Sequence, residues 1–355
     1  VTADSAPGTR RRGTLRLRIV GLAISVAALA LVLQSVDLGK SAEQISRANL
    51  AYLAGCLAVI AAQVVLRSLR WRLLLPSRRD GRAIPVRRIP APLLVGYLGN
   101  AVLPARLGEP VRAYLVARRE NVDAVECFGS VVLERIVDTA TLAVVAFVAA
   151  AEVGAPDWLV RATALVALAG VVLVAGIVVV GLKRFASLAR ALTARLPGSA
   201  TLGPVVHRLD DFARGVDRPS RSSAIAVAAV VSAVCWLLDM TTFWLVARSL
   251  GIEISPAAAL LVAAVTVLGT ALPSAPGYVG TFDLAAATTA QALGVGSASA
   301  FALAVVAHVM TVVPIAVAGA VSLVAMDARL GRLAADATAA DAADSVTPSA
   351  EPTQP

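Results

Sequence analysis

Between residues 17 and 326 the chain is a succession of apolar runs, several of them near the ~20 residues that cross a bilayer as a helix, joined by short connections that hold most of its charge. A chain built this way has few structural options. Away from water every backbone N–H and C=O must be bonded internally, which leaves helices as the spanning element for runs of this length. The runs at 17–33, 50–66, 122–151, 159–182, 222–247 and 298–326 read as six full spans of an all-α, polytopic membrane helix bundle. The run at 17–33 is a signal anchor, since it has no small-x-small cleavage site and leads into further spans. Composition agrees, with 58% hydrophobic and 15% charged residues against roughly 45–50% and ~25% in soluble domains.

The position of the charge sets the topology. The connection 67–88 holds eight arginines and marks a cytoplasmic side by the positive-inside rule. Arg67, Arg70 and Trp71 are expected at the interface, where Trp anchors and Arg snorkels. Segments 37–49, 152–157 and 251–256 read as external turns. The tail 1–15 and the tail 327–355 read as disordered and cytoplasmic, so both termini lie inside. The connector 183–221 is also cytoplasmic, either lying on the anionic leaflet as an amphipathic helix or simply solvated. A single domain, 16–326, then has a first half at 16–182 and a second at 222–326. Of 32 basic residues only Lys40 and Lys183 are lysine, which points to a high-GC bacterial source and an inner (cytoplasmic) membrane location. The net charge of +9 lies in the connections, which speaks against nucleic acid as a partner. Cys56, Cys127 and Cys235 are isolated, small core residues, and neither a metal site nor a cofactor is expected.

Two apolar stretches break this regularity. The first, 89–103, is too short to span and is interrupted by Pro90, Pro92, Gly96 and Gly99, then by Pro104 and Gly108. The second, 257–272, ends in Leu-Pro-Ser-Ala-Pro-Gly-Tyr-Val-Gly-Thr-Phe-Asp, with breaks at Pro273 and Pro276. Both read as Gly, a polar residue, apolars, Leu-Pro, a Gly-containing break and an acidic residue that opens a helix. Entering from opposite faces, they make two re-entrant hairpins of an inverted repeat, the arrangement that places a transporter's site at mid-membrane. The helices restart at Leu107–Gly108 and Gly280–Thr281. Their N-termini, with Gly277 in the preceding break, offer free N–H donors and a positive dipole end to an anion. Glu109 and Asp283 could equally fill those ends themselves.

Ionisable residues at bilayer depth are functional candidates. Asn100, Arg106, Glu109 and Arg112 follow the first break, with the charges three residues apart. Glu134, Arg135 and Asp138 sit inside the next span. Arg106 and Arg112 suit a phosphate, because guanidinium binds it bidentately. Glu134 and Asp138 either line the pathway or form an ion-pair network pinning hairpin to span. Asp239 and His308 are lone ionisable groups in late spans, either ordinary buried polar contacts or a route for proton coupling.

The run Asn100 to Arg112, then Glu134-Arg-Ile-Val-Asp138, then Leu272 to Asp283 resembles the transmembrane region of the lysylphosphatidylglycerol synthases, a flippase-like family. The resemblance covers nearly all of 17–326. It implies a bundle with re-entrant elements that moves charged-headgroup lipids between leaflets. The family's best-known members carry a C-terminal domain that transfers lysine to phosphatidylglycerol. A chain ending in a short Asp/Ala tail is expected to lack that activity and not to be an enzyme. The expected function is translocation of a phospholipid, aminoacyl-lipid or polyprenyl-linked lipid. Its partners are membrane lipids with anionic or polyprenyl-phosphate headgroups, a second copy of the chain, or a separately encoded synthase. Two other readings stand beside it: a transferase or accessory subunit acting on a lipid carrier, and a small-anion secondary transporter.

Overall fold

The computed structural model describes residues 22–34, 36–103, 106–180, 221–270 and 274–344, and every regular element among them is helical. In chain order these are α1 (Leu22–Leu33), α2 (Leu38–Ser46), α3 (Leu50–Leu74), α4 (Pro90–Val102), α5 (Gly108–Glu120), α6 (Ala124–Glu152), α7 (Asp157–Val180), α8 (Arg221–Ser249), α9 (Pro256–Gly269), α10 (Thr281–Ala292) and α11 (Ser297–Asp344). Local chemistry explains several starts. Asn49 accepts from the Ala51 N–H, Asp123 from those of Val125 and Glu126, and Ser255 from that of Ala258 ahead of Pro256, each satisfying donors that a first turn leaves open.

The helices fall into two length classes. Among the described residues, α3, α7, α8 and α11 are long and apolar enough to cross a membrane, and α1 with α2 would make a fifth if that bent pair crosses as one. Six spans were expected; two of those runs do not stand out by length and apolarity alone, for specific physical reasons. The first run turns away into α2, and α6, although 29 residues long, carries Glu134, Arg135 and Asp138 within it. By contrast α4 and α5 have 13 residues each, α9 has 14 and α10 has 12. At 1.5 Å per residue such helices reach only about 20 Å, short of a ~30 Å hydrocarbon core.

Two boundaries differ from the sequence reading. The run expected to end at residue 66 continues as helix to Leu74, which takes Arg67, Arg70 and Trp71 inside the bundle. The last helix continues past Met326 to Asp344, through a stretch rich in alanine, the best helix former. The tail at 1–15, most of the connector 183–221, Pro104 and Pro273 lie outside the described residues.

Packing follows from the small residues. Antiparallel α3 and α8 lie against each other, tied at one end by Asn49 N–H donating to the Ser249 carbonyl at 2.8 Å. In the second half α8, α9, α10 and α11 share a core of Ala259, Ala263, Ala286, Ala287, Ala300 and Ala304 around Phe243 and Phe282. In the first half the core is larger-grained: Trp71, Ile89, Leu93, Val116 and Cys127. The legs of the α4/α5 hairpin touch backbone to backbone. A Cβ on Gly108 would lie 1.8 Å from the Gly96 carbonyl oxygen, so that position has room only for hydrogen. The outer faces remain apolar, with Leu165 of α7 and Val324 of α11 each 69% exposed. Contiguous greasy surface of this kind is tolerated where lipid rather than water covers it. The chain is a multi-pass membrane protein.

Candidate functional site

The two helix breaks meet. Arg106, just ahead of α5, reaches across to the end of α9, where its Nη2 donates to the Thr270 carbonyl at 2.9 Å and to Thr270 Oγ1 at 3.0 Å. Its guanidinium also lies 5.7 Å from the ring centre of Tyr278, in the break between α9 and α10, within cation–π range. Both residues hold left-handed backbone, with φ of +53° at Arg106 and +61° at Tyr278. For non-glycine residues such conformations persist where surrounding contacts enforce them. Here the contacts are those between the two tips. Gly277 and Gly280, at φ +72° and +87°, turn the second tip. Gly280 also lies against α1, where a Cβ would come within 2.3 Å of the Ser25 carbonyl oxygen.

Beside the junction is a cavity of about 200 Å³, lined among others by Gln63, Arg67, Tyr97, Asn100, Arg106, Glu109, Arg135, Asp138, Trp236, Asp239, Thr270 and Tyr278. Three arginines and three carboxylates face it, and most are paired. Arg67 donates to Asp239 at 2.8 Å. Arg135 lies 3.6 Å from Asp138 and 4.0 Å from Glu109, and Asn100 Nδ2 donates to Glu109 at 3.2 Å. Arg106 is the cavity cation that has no carboxylate partner among the described residues. Trp236 is 6% exposed, and its Nε1 and the Tyr97 hydroxyl lack hydrogen-bond partners there.

Behind the cavity wall sits an ion lattice that reaches the cavity through Glu109, Asp138 and Arg135, whose Nη2 donates to Glu134 at 2.8 Å. Arg70 of α3 donates to Glu134 at 2.5 Å, to Asp138, and to Ser232 of α8 at 2.9 Å. Arg112 of α5 lies 2.6 Å from Glu109 and 3.0 Å from Glu134, with its guanidinium 4.5 Å from the Trp71 ring centre. Arg70, Arg112 and Glu134 are at most 1% exposed. An isolated buried charge costs several kcal/mol, and removing one partner of such a set leaves the others uncompensated. The lattice joins α3, α5 and α6 by charge and reaches α8 through the Ser232 hydroxyl.

This sorts the sequence-derived residues. Asn100, Arg106, Glu109, Arg135, Asp138 and Asp239 come together at the cavity. Arg112 and Glu134 are pinned in the lattice, so Arg112 does not present its guanidinium to the cavity. Arg106 precedes α5 and therefore does not continue the helical face of Glu109 and Arg112. At the second tip, Asp283 fills the start of its own helix, accepting from the Gly280 N–H at 3.0 Å. Thr281 is 4% exposed, and its hydroxyl donates to the Tyr278 carbonyl. Gly277, Asp283 and His308 belong to a second cavity, about 380 Å³, that is otherwise apolar. Asp239 and His308 therefore lie on different cavities.

The interface placement of Arg67, Arg70 and Trp71 is corrected. Arg70 and Trp71 are 1% and 0% exposed, because α3 carries them alongside α6 and α8, where Arg70 finds Glu134, Asp138 and Ser232 and the Trp71 indole N–H donates to Ser130 at 3.2 Å. Tyr97, Trp236, Thr270 and Tyr278 are cavity residues that sequence reasoning did not single out. Three arginines inside or just after an apolar run, facing carboxylates in later runs, were the available signal.

Interrupted helix pairs meeting at a polar cavity inside an apolar-surfaced bundle define a multi-pass membrane protein with an enclosed site for a charged or polar group. The family model described as "Lysylphosphatidylglycerol synthase TM region" matches residues 18–319, and the chain belongs to that family. It is also similar to a curated protein named Glycosyltransferase AglD, from Haloferax volcanii, with 29% identity covering 90% of this chain and 56% of that protein. The chain thus spans little more than half the length of this relative. The relative's name overturns the expectation that the chain is not an enzyme, since a glycosyltransferase aligns with nearly all of it. The family and the relative together tie the chain to membrane lipid-related function.

Proposed function

We propose that this protein moves lipids with a charged headgroup between the leaflets of a bacterial cell membrane. The headgroup occupies the cavity at the two tips while the hydrocarbon chains stay in lipid. Arg106 carries this reading. It is a guanidinium on a polar cavity, carried by the first break and held by contacts from the second, without a carboxylate partner among the described residues, which suits it to a phosphate. The other cavity charges neutralise one another and suit a headgroup with further polar groups. In this arrangement α4/α5 and α9/α10 are re-entrant hairpins entering from opposite faces, and α6 crosses the membrane with its charges neutralised by Arg70 and Arg112. The termini lie on the cytoplasmic side, and the partners are anionic or polyprenyl-phosphate lipids.

The test is translocation of labelled phospholipid in proteoliposomes, comparing wild type with Arg106→Ala. Loss of translocation in a folded Arg106→Ala protein supports the proposal, and an unchanged rate rejects it. A second reading, in which the same cavity holds a lipid carrier for a transferase reaction, is favoured by the name of the Haloferax relative. Turnover of a lipid-linked sugar by the purified chain, without leaflet exchange, would select it.

A further inference from the structure

At the second tip the imidazole of His308 has a hydrogen-bond acceptor on each side. Its Nδ1 lies 3.0 Å from Asp283 Oδ1, and its Nε2 lies 2.7 Å from the Gly277 carbonyl oxygen. A neutral imidazole has one N–H, so it can serve one of these oxygens and must turn a lone pair on the other. A carboxylate, a carbonyl and a neutral imidazole therefore cannot make this geometry. One additional proton on the ring can, because an imidazolium has an N–H for each of the two oxygens.

We propose that Asp283, His308 and the Gly277 carbonyl form a proton-binding site whose occupancy clamps the second helix break. The proton is taken up from water, and the unit changes by one charge with no other bond made or broken. The surroundings suit a single-proton device. Asp283 is the carboxylate paired with His308, at 3.0 Å. The other neighbours are carbon: Phe282 stacks on the ring at 4.4 Å, and Leu29 of α1 and Phe301 and Val309 of α11 line the adjoining cavity. The His308 side chain is 13% exposed, which leaves a route for exchange through that cavity.

Occupancy has a mechanical consequence because of where Gly277 stands. It precedes Tyr278, the left-handed residue that carries the ring beside Arg106. With the proton bound, Nε2–H holds the Gly277 carbonyl and fixes the turn. Without it, the lone pairs on Nε2 and the carbonyl repel, the turn is released, and Tyr278 is no longer held against Arg106. The proton thereby reaches the Arg106 cavity through the backbone of one tip.

The discriminating substitution is Asp283→Asn. Its Oδ1 can accept from the Gly280 N–H as Asp283 does, its Nδ2 can donate to Nδ1, and Nε2–H of a neutral His308 can then donate to Gly277. The clamp closes without the extra proton. The experiment uses the full chain in nanodiscs with His207→Asn, which leaves one histidine. The His308 ring nitrogens are titrated by NMR, and amide exchange of residues 274–284 is followed over the same pH range after correction for intrinsic rates. In the Asp283 protein, exchange should rise roughly tenfold or more, the scale of losing one hydrogen bond to a charged group, in the same step that His308 loses its proton. Asp283→Asn should stay protected across that step, and His308→Phe should be fast-exchanging at every pH. Exchange that ignores the His308 titration, or an Asp283→Asn protein with the same pH step, overturns the proposal. Lipid movement is not read out, so failure here is separate from failure of the translocase reading.

Discussion

The two interrupted hairpins have similar lengths and meet tip to tip, yet they are held by different forces. The α4/α5 hairpin stands on glycine-to-backbone contact and on a largely buried lattice of Arg70, Arg112, Glu109 and Glu134 that ties it to α3 and α6. The α9/α10 hairpin is embedded in alanine, with one acid–imidazole pair at its tip. Buried charges are costly to separate, so the first hairpin is anchored. Alanine surfaces lock few rotamers and leave contacts that can slide. On the proposed function, the anchored tip carries Arg106 and the lightly bonded tip, which contacts it through Thr270 and Tyr278, is the one suited to changing shape.

The strongest way to break that contrast is to remove its central cation. Arg70→Leu removes the cation shared by Glu134 and Asp138, leaving them to Arg112 and Arg135, and should cost up to roughly 3–5 kcal/mol, read as a large drop in unfolding midpoint in detergent. Asp283→Asn in the other hairpin should cost far less. A methyl added to each hairpin sharpens the comparison. Overpacking costs about 1–3 kcal/mol. Gly108→Ala should reach or exceed the upper end, because its Cβ meets a backbone carbonyl at 1.8 Å, and Gly269→Ala should sit lower, because it meets the Ala285 methyl at 2.8 Å. Thermal unfolding of the two variants side by side ranks them. A far smaller change is expected at the surface. Arg47→Ala removes a pair with Glu43 whose side chains are 77% and 60% exposed, and its effect should stay within ~0.5 kcal/mol, which calibrates the buried series.

Much of this architecture is legible in the residues. Apolar length separates spanning from half-length helices, and the Leu-Pro breaks with their restarts at Gly108 and Thr281 mark both hairpins. Partner choice is harder to read. Arg67 and Arg70 sit at the end of an apolar run, where an arginine commonly snorkels to water. Their partners Asp239, Glu134 and Asp138 lie far along the chain, and nothing in local spacing links them. Arg106, Glu109 and Arg112 share a three-residue spacing that suggests one helical face, but the left-handed backbone at Arg106 turns it away from that face. The His308 contacts were equally hidden, since the Gly277 carbonyl is a backbone group that any residue could present.

The central claim is that Arg106, carried by one tip and held by the other, binds the headgroup of a lipid. Native mass spectrometry of the protein released from mild detergent tests it most directly, comparing wild type with Arg106→Ala. The account predicts that wild type retains a lipid with a charged headgroup and that a folded Arg106→Ala protein does not. Equal retention of the same lipid by both proteins would contradict it.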